Sequence, residues 1–419
     1  MATSIDTSSK SKFNFGSRGW IVIIFQASLF WVMAGCVTHG LNVILPALSE
    51  LYQMDYNELL FFVTPASWAS IPAAPFFAWI IEKKGIKFNI IFSIVMTAIC
   101  FGALGYCSSI LSFTLLFAGV CFFGTGAAYI GGTALIANWF VKKQSLALGF
   151  TTFGQTFSSA FFVPVLSMAF AVFGVQHGFW SMSVIMAVLI VVAVVFITGK
   201  PEEQGLLPDN EPYAEEKAKD DIQKKSYLTY GMLAKSKDAW FMGVSLGGVY
   251  IMLVGIASQI VPRLISIGYE PATAISYMSA CALFGTFGAY GWGWLNNKVG
   301  IKPALLTYIV WWMVAIGFNL FESPVYLLVS MIMIGLALPG ATNYFTSFIA
   351  TKYPRQHYVK ALGFIHTLQS TFRCCAFSIL AFGLAYLGGY SGAYGLLIAT
   401  GVISFVLVCF TNTTPIEDR

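Results

Sequence analysis

Long apolar runs broken by short polar turns set the rhythm of this chain. Twelve runs reach helix length. They lie at about 19–47, 59–81, 88–108, 111–140, 144–171 and 178–199 in the first half, and at about 239–265, 271–295, 303–321, 324–351, 359–386 and 389–411 in the second. Roughly 20 consecutive apolar residues cross a bilayer as an α-helix, which satisfies every backbone N–H and C=O within the segment. Each run is therefore expected to be a transmembrane helix, and the surplus length of several allows tilt. One long polar stretch, 200–238, begins KPEEQGLLPDNEPYAEEKAKDDIQKK. Its mixed charge and scarcity of apolar residues mark an aqueous linker, with a surface helix near Tyr213–Lys225. The expected organisation is a polar tail 1–18, a six-helix bundle 19–199, the linker 200–238, a second bundle 239–411 and a tail 412–419.

Charge turns this pattern into a topology. Only 10% of the 419 residues are charged against 58% apolar, with a mean hydropathy of +0.76. Soluble domains carry about 25% charged residues, so the chain belongs to the membrane class. With both termini placed in the cytoplasm, 21 of the 23 Lys and Arg residues fall on the inner side. They include Lys83, Lys84, Lys87, Lys142, Lys143, Lys298, Lys302, Lys352 and Lys360. Cytoplasmic enrichment of cations is the usual rule for multi-span proteins, and it predicts a multi-pass protein of the cell membrane with both termini inside. The net charge of +5 forms no basic stripe, so no nucleic-acid partner is expected. The N-terminus lacks the short apolar core of a secretory signal, so the first span is expected to be retained. The eight cysteines lie in or beside apolar runs without CxxC pairs or metal spacing, and read as small apolar fillers. No metal, cofactor or catalytic set is expected, and no Walker sequence supports an ATP-driven pump.

The two halves repeat. AWIIEKKGIK at 78–87 returns as GWLNNKVGIK at 293–302, and ALGFTTFGQTF from Ala147 returns as ALGFIHTLQSTF from Ala361. The offsets are 293 − 78 = 215 and 361 − 147 = 214, one duplication rather than two coincidences. Parallel six-span repeats describe the architecture of major facilitator transporters. The turns after the second and eighth spans resemble that superfamily's G-x-L-x-D-[RK]-x-G-[RK]-[RK] signature through Glu82, Lys83, Gly85 and Lys87, and through Gly293, Leu295, Lys298, Gly300 and Lys302, with Asn297 in the acidic place. The resemblance implies a conformational latch at these turns; the competing reading is a solvated basic turn. NWFVKKQSLALGFTTFG, 138–154, resembles the [YW]-F-x-[KR]-[RK]-x-x-A-x-G-x-x-x-x-G run of the monocarboxylate transporter and oxalate/formate antiporter branch. The fold expected is all-α, with twelve spans in two pseudo-symmetric bundles.

Arg373 stands in the middle of the apolar run 361–387, about thirteen residues or ~20 Å from its inner end. A lone mid-membrane cation costs about 2.5–3.5 kcal/mol on insertion scales, and it normally faces a water-filled cavity or an anion. The branch resemblance implies a substrate-binding cation at this place. It also implies a second one, an arginine in the eighth span, but 272–295 carries no charge. One cation suits one carboxylate, so a monoanion is expected. Gln369, one turn before Arg373, and its repeat mate Gln155 are amide candidates for the same carboxylate, or interhelical hydrogen-bond formers. Tyr129 lies in the small-residue run GTGAAYIGGT and is expected to point into the cavity. Trp31, Asn42, Tyr250, Asn343 and Tyr344 are further cavity candidates. His39 and His366 are the candidate proton sites, with a structural hydrogen bond as the other reading.

The expected protein is a secondary transporter of a small organic anion, driven by proton symport or anion exchange. Two bundles enclose a complete pathway, so a monomer suffices. The competing expectations are a carrier of amphipathic or drug-like compounds and a receptor that uses the fold without flux.

Overall fold

The computed structural model of the chain describes residues 14–140, 143–210, 227–353 and 355–416, the side chains of residues 144, 145, 286, 289, 355, 356 and 359 excepted. Every regular element among them is a helix. The spans are α1 (Gly16–His39), α2 (Tyr56–Lys84), α3 (Ile86–Tyr106) and α4 (Ile110–Trp139). A 51-residue run, Leu146–Phe196, is then divided by Gly174 (φ 76°, ψ 162°) into α5 (146–173) and α6 (175–196). There follow α7 (Lys237–Ala257), α8 (Pro271–Val299), α9 (Ile301–Asn319), α10 (Pro324–Ala337 with Gly340–Lys352), α11 (Lys360–Tyr386) and α12 (Tyr390–Phe410). Nine described helices are continuous enough to cross a membrane; the bent α8 and α10 make eleven, and the break at Gly174 makes twelve. The surface helix expected near Tyr213–Lys225 lies outside the described residues, as does Lys142 of the expected basic inner side.

The first six spans pack chiefly on one another, as do the last six. α1 lies on α5, α3 on α4 and α6, and α2 on α4; α7 lies on α11 and α12, and α10 on α8 and α9. Some of these approaches need glycine. A Cβ on Gly154 would collide with the carbonyl oxygen of Ala27 in α1, whereas one on Gly149, in the same motif, meets nothing. Gly154→Ala is expected to cost about 1–3 kcal/mol by overpacking. Gly149→Ala should leave the melting temperature in detergent unchanged. Equal melting of the two variants would sink this packing argument.

The linker does not stay apart from the helices. Its start folds back onto the first half: the Lys143 amide donates to Asp209 Oδ1 at 3.0 Å, and Lys143 Nζ donates to the carbonyl of Asn14 at 2.9 Å. The motif side chains Asn138 and Trp139 donate to the carbonyls of Gly199 and Thr198. At its other end Tyr227 stacks edge-on against His357, and Lys360 Nζ donates to the Leu228 carbonyl at 3.0 Å.

The duplicated turns have one geometry. Gly85 (φ 85°, ψ 164°) and Gly300 (φ 84°, ψ 165°) occupy a region that side-chain-bearing residues avoid. Lys87 Nζ donates to the Val194 carbonyl at the end of α6, at 2.7 Å, and Lys302 Nζ to the Cys409 carbonyl at the end of α12, at 2.8 Å. Both acceptors lie at the C-terminal end of a helix, where carbonyls lack an intrahelical partner. These lysines strap adjacent helices of their own half. Lys298 rides over the Trp294 ring at 4.8 Å. Glu82 and Lys83 are exposed, and among the described residues neither takes part in an ion pair.

The halves meet on the side away from the termini, here the far side. Asn42 Nδ2 donates to the Ala257 carbonyl at 2.7 Å, and the Val261 amide donates to Asn42 Oδ1 at 2.9 Å. The Tyr56 hydroxyl donates to Gln259 Oε1 at 3.0 Å. Thr64 Oγ1 donates to the Cys374 carbonyl at 2.8 Å and accepts from the Ser378 amide at 2.9 Å. Trp68 Nε1 donates to the Thr371 carbonyl at 3.2 Å, about halfway along α2. Beyond Trp68, towards the terminal side, Ser70 of α2 still meets the Cys374 thiol of α11. The described hydrogen bonds between the halves thus cluster on the far side and about mid-span.

Candidate functional site

Arg373 sits where that cluster ends. It lies on α11 between Thr371 and Cys374, the two residues whose carbonyls are held by α2. Its side chain is half-buried, and among the described residues it has no carboxylate partner; the described ion pair is Lys352 with Asp238, at the terminal end. Within electrostatic reach are the phenols of Tyr129 and Tyr250, the thiols of Cys121 and Cys374, and the imidazole of His366. Tyr129 and Cys121 come from α4 in the first half and the others from α7 and α11 in the second, so the guanidinium stands between the halves.

Tyr129 is held there by an irregularity. Residues Thr125–Gly132 of α4 form a π-helical segment, a form frequent at functional sites. Its widened turns leave carbonyls that buried amides take up: Gln26 Nε2 donates to Ala128 and Asn89 Nδ2 to Gly126, each at 2.9 Å. The Tyr129 ring leans on Phe30 at 5.3 Å yet remains 40% exposed. The exposed ring lies within electrostatic reach of Arg373 in the other half. His366 is exposed as well, two turns before Arg373, with its ring against Phe345 at 5.7 Å. Tyr250 is half-buried, with its hydroxyl beside the exposed Thr342 of α10. The surroundings of Arg373 thus bring together one cation, two phenols, an imidazole and a hydroxyl. Each of these groups can donate a hydrogen bond, and the guanidinium offers a planar fork of donors.

The remaining sequence candidates separate. Asn343 is exposed on α10 beside Thr342. Gln155 is half-buried on α5, and Gln369 is packed in, its Oε1 accepting a long 3.4 Å bond from Ser370. No hydrogen bond joins Gln155, Gln369 and Arg373 among the described residues. Trp31 is half-buried, edge-on to Phe162 at 5.9 Å. Two expectations are corrected outright. Asn42 is 1% exposed, and its amide is spent on the far-side closure rather than on a cavity. Tyr344 is 1% exposed in a cluster with Trp292 and Tyr308, and its hydroxyl donates to the Trp292 carbonyl at 3.1 Å. His39 is buried against Ser159 Oγ at 2.8 Å, the structural hydrogen bond that was its other reading. Cys121 and Cys374, read as fillers, stand beside Arg373. The sequence does not mark Thr64, Trp68 and Gln259, because nothing in it distinguishes a polar residue that bonds across the halves from one that bonds within its own.

The sequence matches the family model of the Major Facilitator Superfamily over residues 21–374. It is 24% identical over 229 residues to an oxalate:formate antiporter of Oxalobacter formigenes, a match spanning 53% of this chain and 50% of the relative. The chain thus covers about half the length of that curated relative. Among solved structures, a D-xylose-proton symporter superposes with a TM-score of 0.71 at 14% identity, covering 93% of this chain and 96% of the other. A point mutant of the nucleoside transporter NupG gives 0.70 at 14% identity, covering 93% and 100%. A bacterial homologue of the human lysosomal transporter Spinster, inward-facing and occupied, gives 0.65 at 15%, covering 93% and 95%. At these identities the likeness is one of fold.

Proposed function

The chain belongs to the Major Facilitator Superfamily, and on that premise we propose that it carries a small organic anion, a monocarboxylate before a dianion, by alternating access. The observation that carries this reading is Arg373, a guanidinium between the halves, at mid-span, with no carboxylate partner among the described residues. Its own charge makes the empty gap costly to seal, because a desolvated, unpaired cation is strongly unfavourable. An anion that enters from the terminal side and lies on the guanidinium removes that cost. The halves then close over it, and the far-side bonds of Asn42, Tyr56, Thr64 and Trp68 yield in exchange. Tyr129 from one half and Tyr250 from the other would complete the oxyanion's hydrogen bonds only as the halves approach.

The antiporter relative favours carboxylate exchange, and the absence of charge along 272–295 of α8 favours one carboxylate over two. His366, beside Arg373 and exposed, is the proton site if the carrier is a symporter. The basic turns and tails favour both termini in the cytoplasm, and on that orientation the structure reads as inward-facing with its far side at the cell exterior.

Uptake of labelled lactate, acetate and formate into proteoliposomes tests this reading. Stimulation by an inward proton gradient assigns symport; flux only into vesicles preloaded with a carboxylate assigns exchange. Absence of carboxylate flux under both conditions would sink the proposal. Uptake indifferent to substrate charge would instead favour a carrier of amphipathic compounds, the reading that the aromatic content supports.

A further inference from the structure

A second buried arginine lies at the closed end of the pathway. Arg263 is on the short helix Ile260–Ser266 that continues α7 after its break, and it is 8% exposed. One of its nitrogens donates to the carbonyls of Asn319 and Leu320, at 3.3 and 3.5 Å. The guanidinium lies 5.3 Å from the centre of the Tyr390 ring, and its Nε is buried without a partner. Beside it, Gln259 is fully buried; its Oε1 accepts from Tyr56 at 3.0 Å and from Tyr390 at 3.2 Å, while its Nε2 has no partner. The Tyr394 hydroxyl and Asn319 Oδ1 are likewise buried and unpartnered. No carboxylate pairs with Arg263 among the described residues.

Natural interiors pair nearly all their buried polar groups, so several orphans around one guanidinium call for an explanation. Three of the four orphans here, Arg263 Nε, Gln259 Nε2 and the Tyr394 hydroxyl, are donors. Donors converging beside a cation form an anion receptor. The cover over this receptor is Tyr56, which belongs to the other half. Separation on the far side removes Tyr56 and uncovers Gln259 and Arg263 to the aqueous phase, while Arg373 lies deeper on α11.

We propose that Gln259 and Arg263 form a second anion site at the far-side mouth, which takes a carboxylate before it reaches Arg373, or after it leaves, in the far-open state. This site rests on the organic-anion reading of the carrier. It is distinct from the Arg373 site because it faces one side of the membrane only, and that asymmetry is what can be measured. The alternative is that Arg263 serves solely to cap the end of α9 through the carbonyls of Asn319 and Leu320.

The test compares right-side-out and inside-out membrane vesicles holding the full chain, with labelled formate and lactate as probes. For Arg263→Gln the half-saturation concentration should rise about tenfold when the anion is offered at the far side, at little change in maximal rate, and stay at the wild-type value from the terminal side. Arg263→Lys keeps the charge and should recover most of the far-side affinity. Unchanged far-side half-saturation would overturn the site. So would a parallel fall in maximal rate from both sides with half-saturation constant, the behaviour of a lost helix cap. Where Arg263→Gln fails to fold, judged by its gel-filtration profile, Tyr394→Phe removes one donor without charge and is read the same way, with a smaller one-sided shift. No carboxylate flux in the wild type would sink the functional reading and this site together; normal wild-type flux with a symmetrical variant sinks the site alone.

Discussion

Replacing Arg373 by glutamine is expected to raise the half-saturation concentration for the transported anion by at least about thirtyfold, because losing one partner of a desolvated charge pair costs about 2–5 kcal/mol. The fold should survive. Removing one member of a buried ion pair destabilises a protein by stranding the other, and Arg373 has no carboxylate to strand among the described residues. The melting temperature in detergent should therefore hold or rise, while the upward shift that substrate gives the wild type should vanish. Arg373→Lys keeps the charge but loses the planar fork, and should lie between the two. Full substrate affinity in the glutamine variant would remove the observation on which the organic-anion reading stands.

The second large effect is expected at Asn42, through the balance between conformations. Its side chain satisfies the Ala257 carbonyl and the Val261 amide across the interface, and it is 1% exposed. Asn42→Ala leaves both groups buried and unpaired while the far side is closed, at about 1–3 kcal/mol each. Once the halves part there, water reaches them and the cost disappears. The penalty thus falls on one state alone and moves the population towards far-side opening by about tenfold or more. A cysteine at Val261, buried in the closed state, reads this directly. Its labelling by an impermeant maleimide added from the far side should quicken in Asn42→Ala. An unchanged labelling rate would show that Asn42 does not hold the gate.

These residues also show what a sequence discloses. The duplication was legible because its turn glycines must adopt positive φ and its lysines recur at a fixed offset. Arg373 was legible because a charge inside an apolar run has few acceptable surroundings, and Tyr129 because the small residues around it leave room for its ring. Asn42 and Tyr344 were misplaced for the opposite reason: an amide or phenol is tolerated at several positions around a membrane helix, and only the neighbours decide which. Asn42 meets residues more than 200 positions away, and Tyr344 closes an aromatic cluster drawn from three helices. Lys87 and Lys302 were recognised as cations near a turn, but their acceptors are carbonyls that the duplicate architecture brings to the same spot in each half. Such partners become visible only once the ends of α6 and α12 are known.

Thr64 stands between two groups that an uninterrupted helix would join to each other. Ser378 N and Cys374 O are four residues apart, the spacing of an α-helical rung, and the hydroxyl from α2 occupies the gap between them. If the halves part, that wedge is withdrawn and α11 is expected to close the rung for itself, recovering part of the polar loss inside the helix. The rung lies immediately next to Arg373. The bonds that join the halves and the cation thereby share one stretch of backbone, so loss of the Thr64 bridge is expected to alter the local winding that carries the guanidinium.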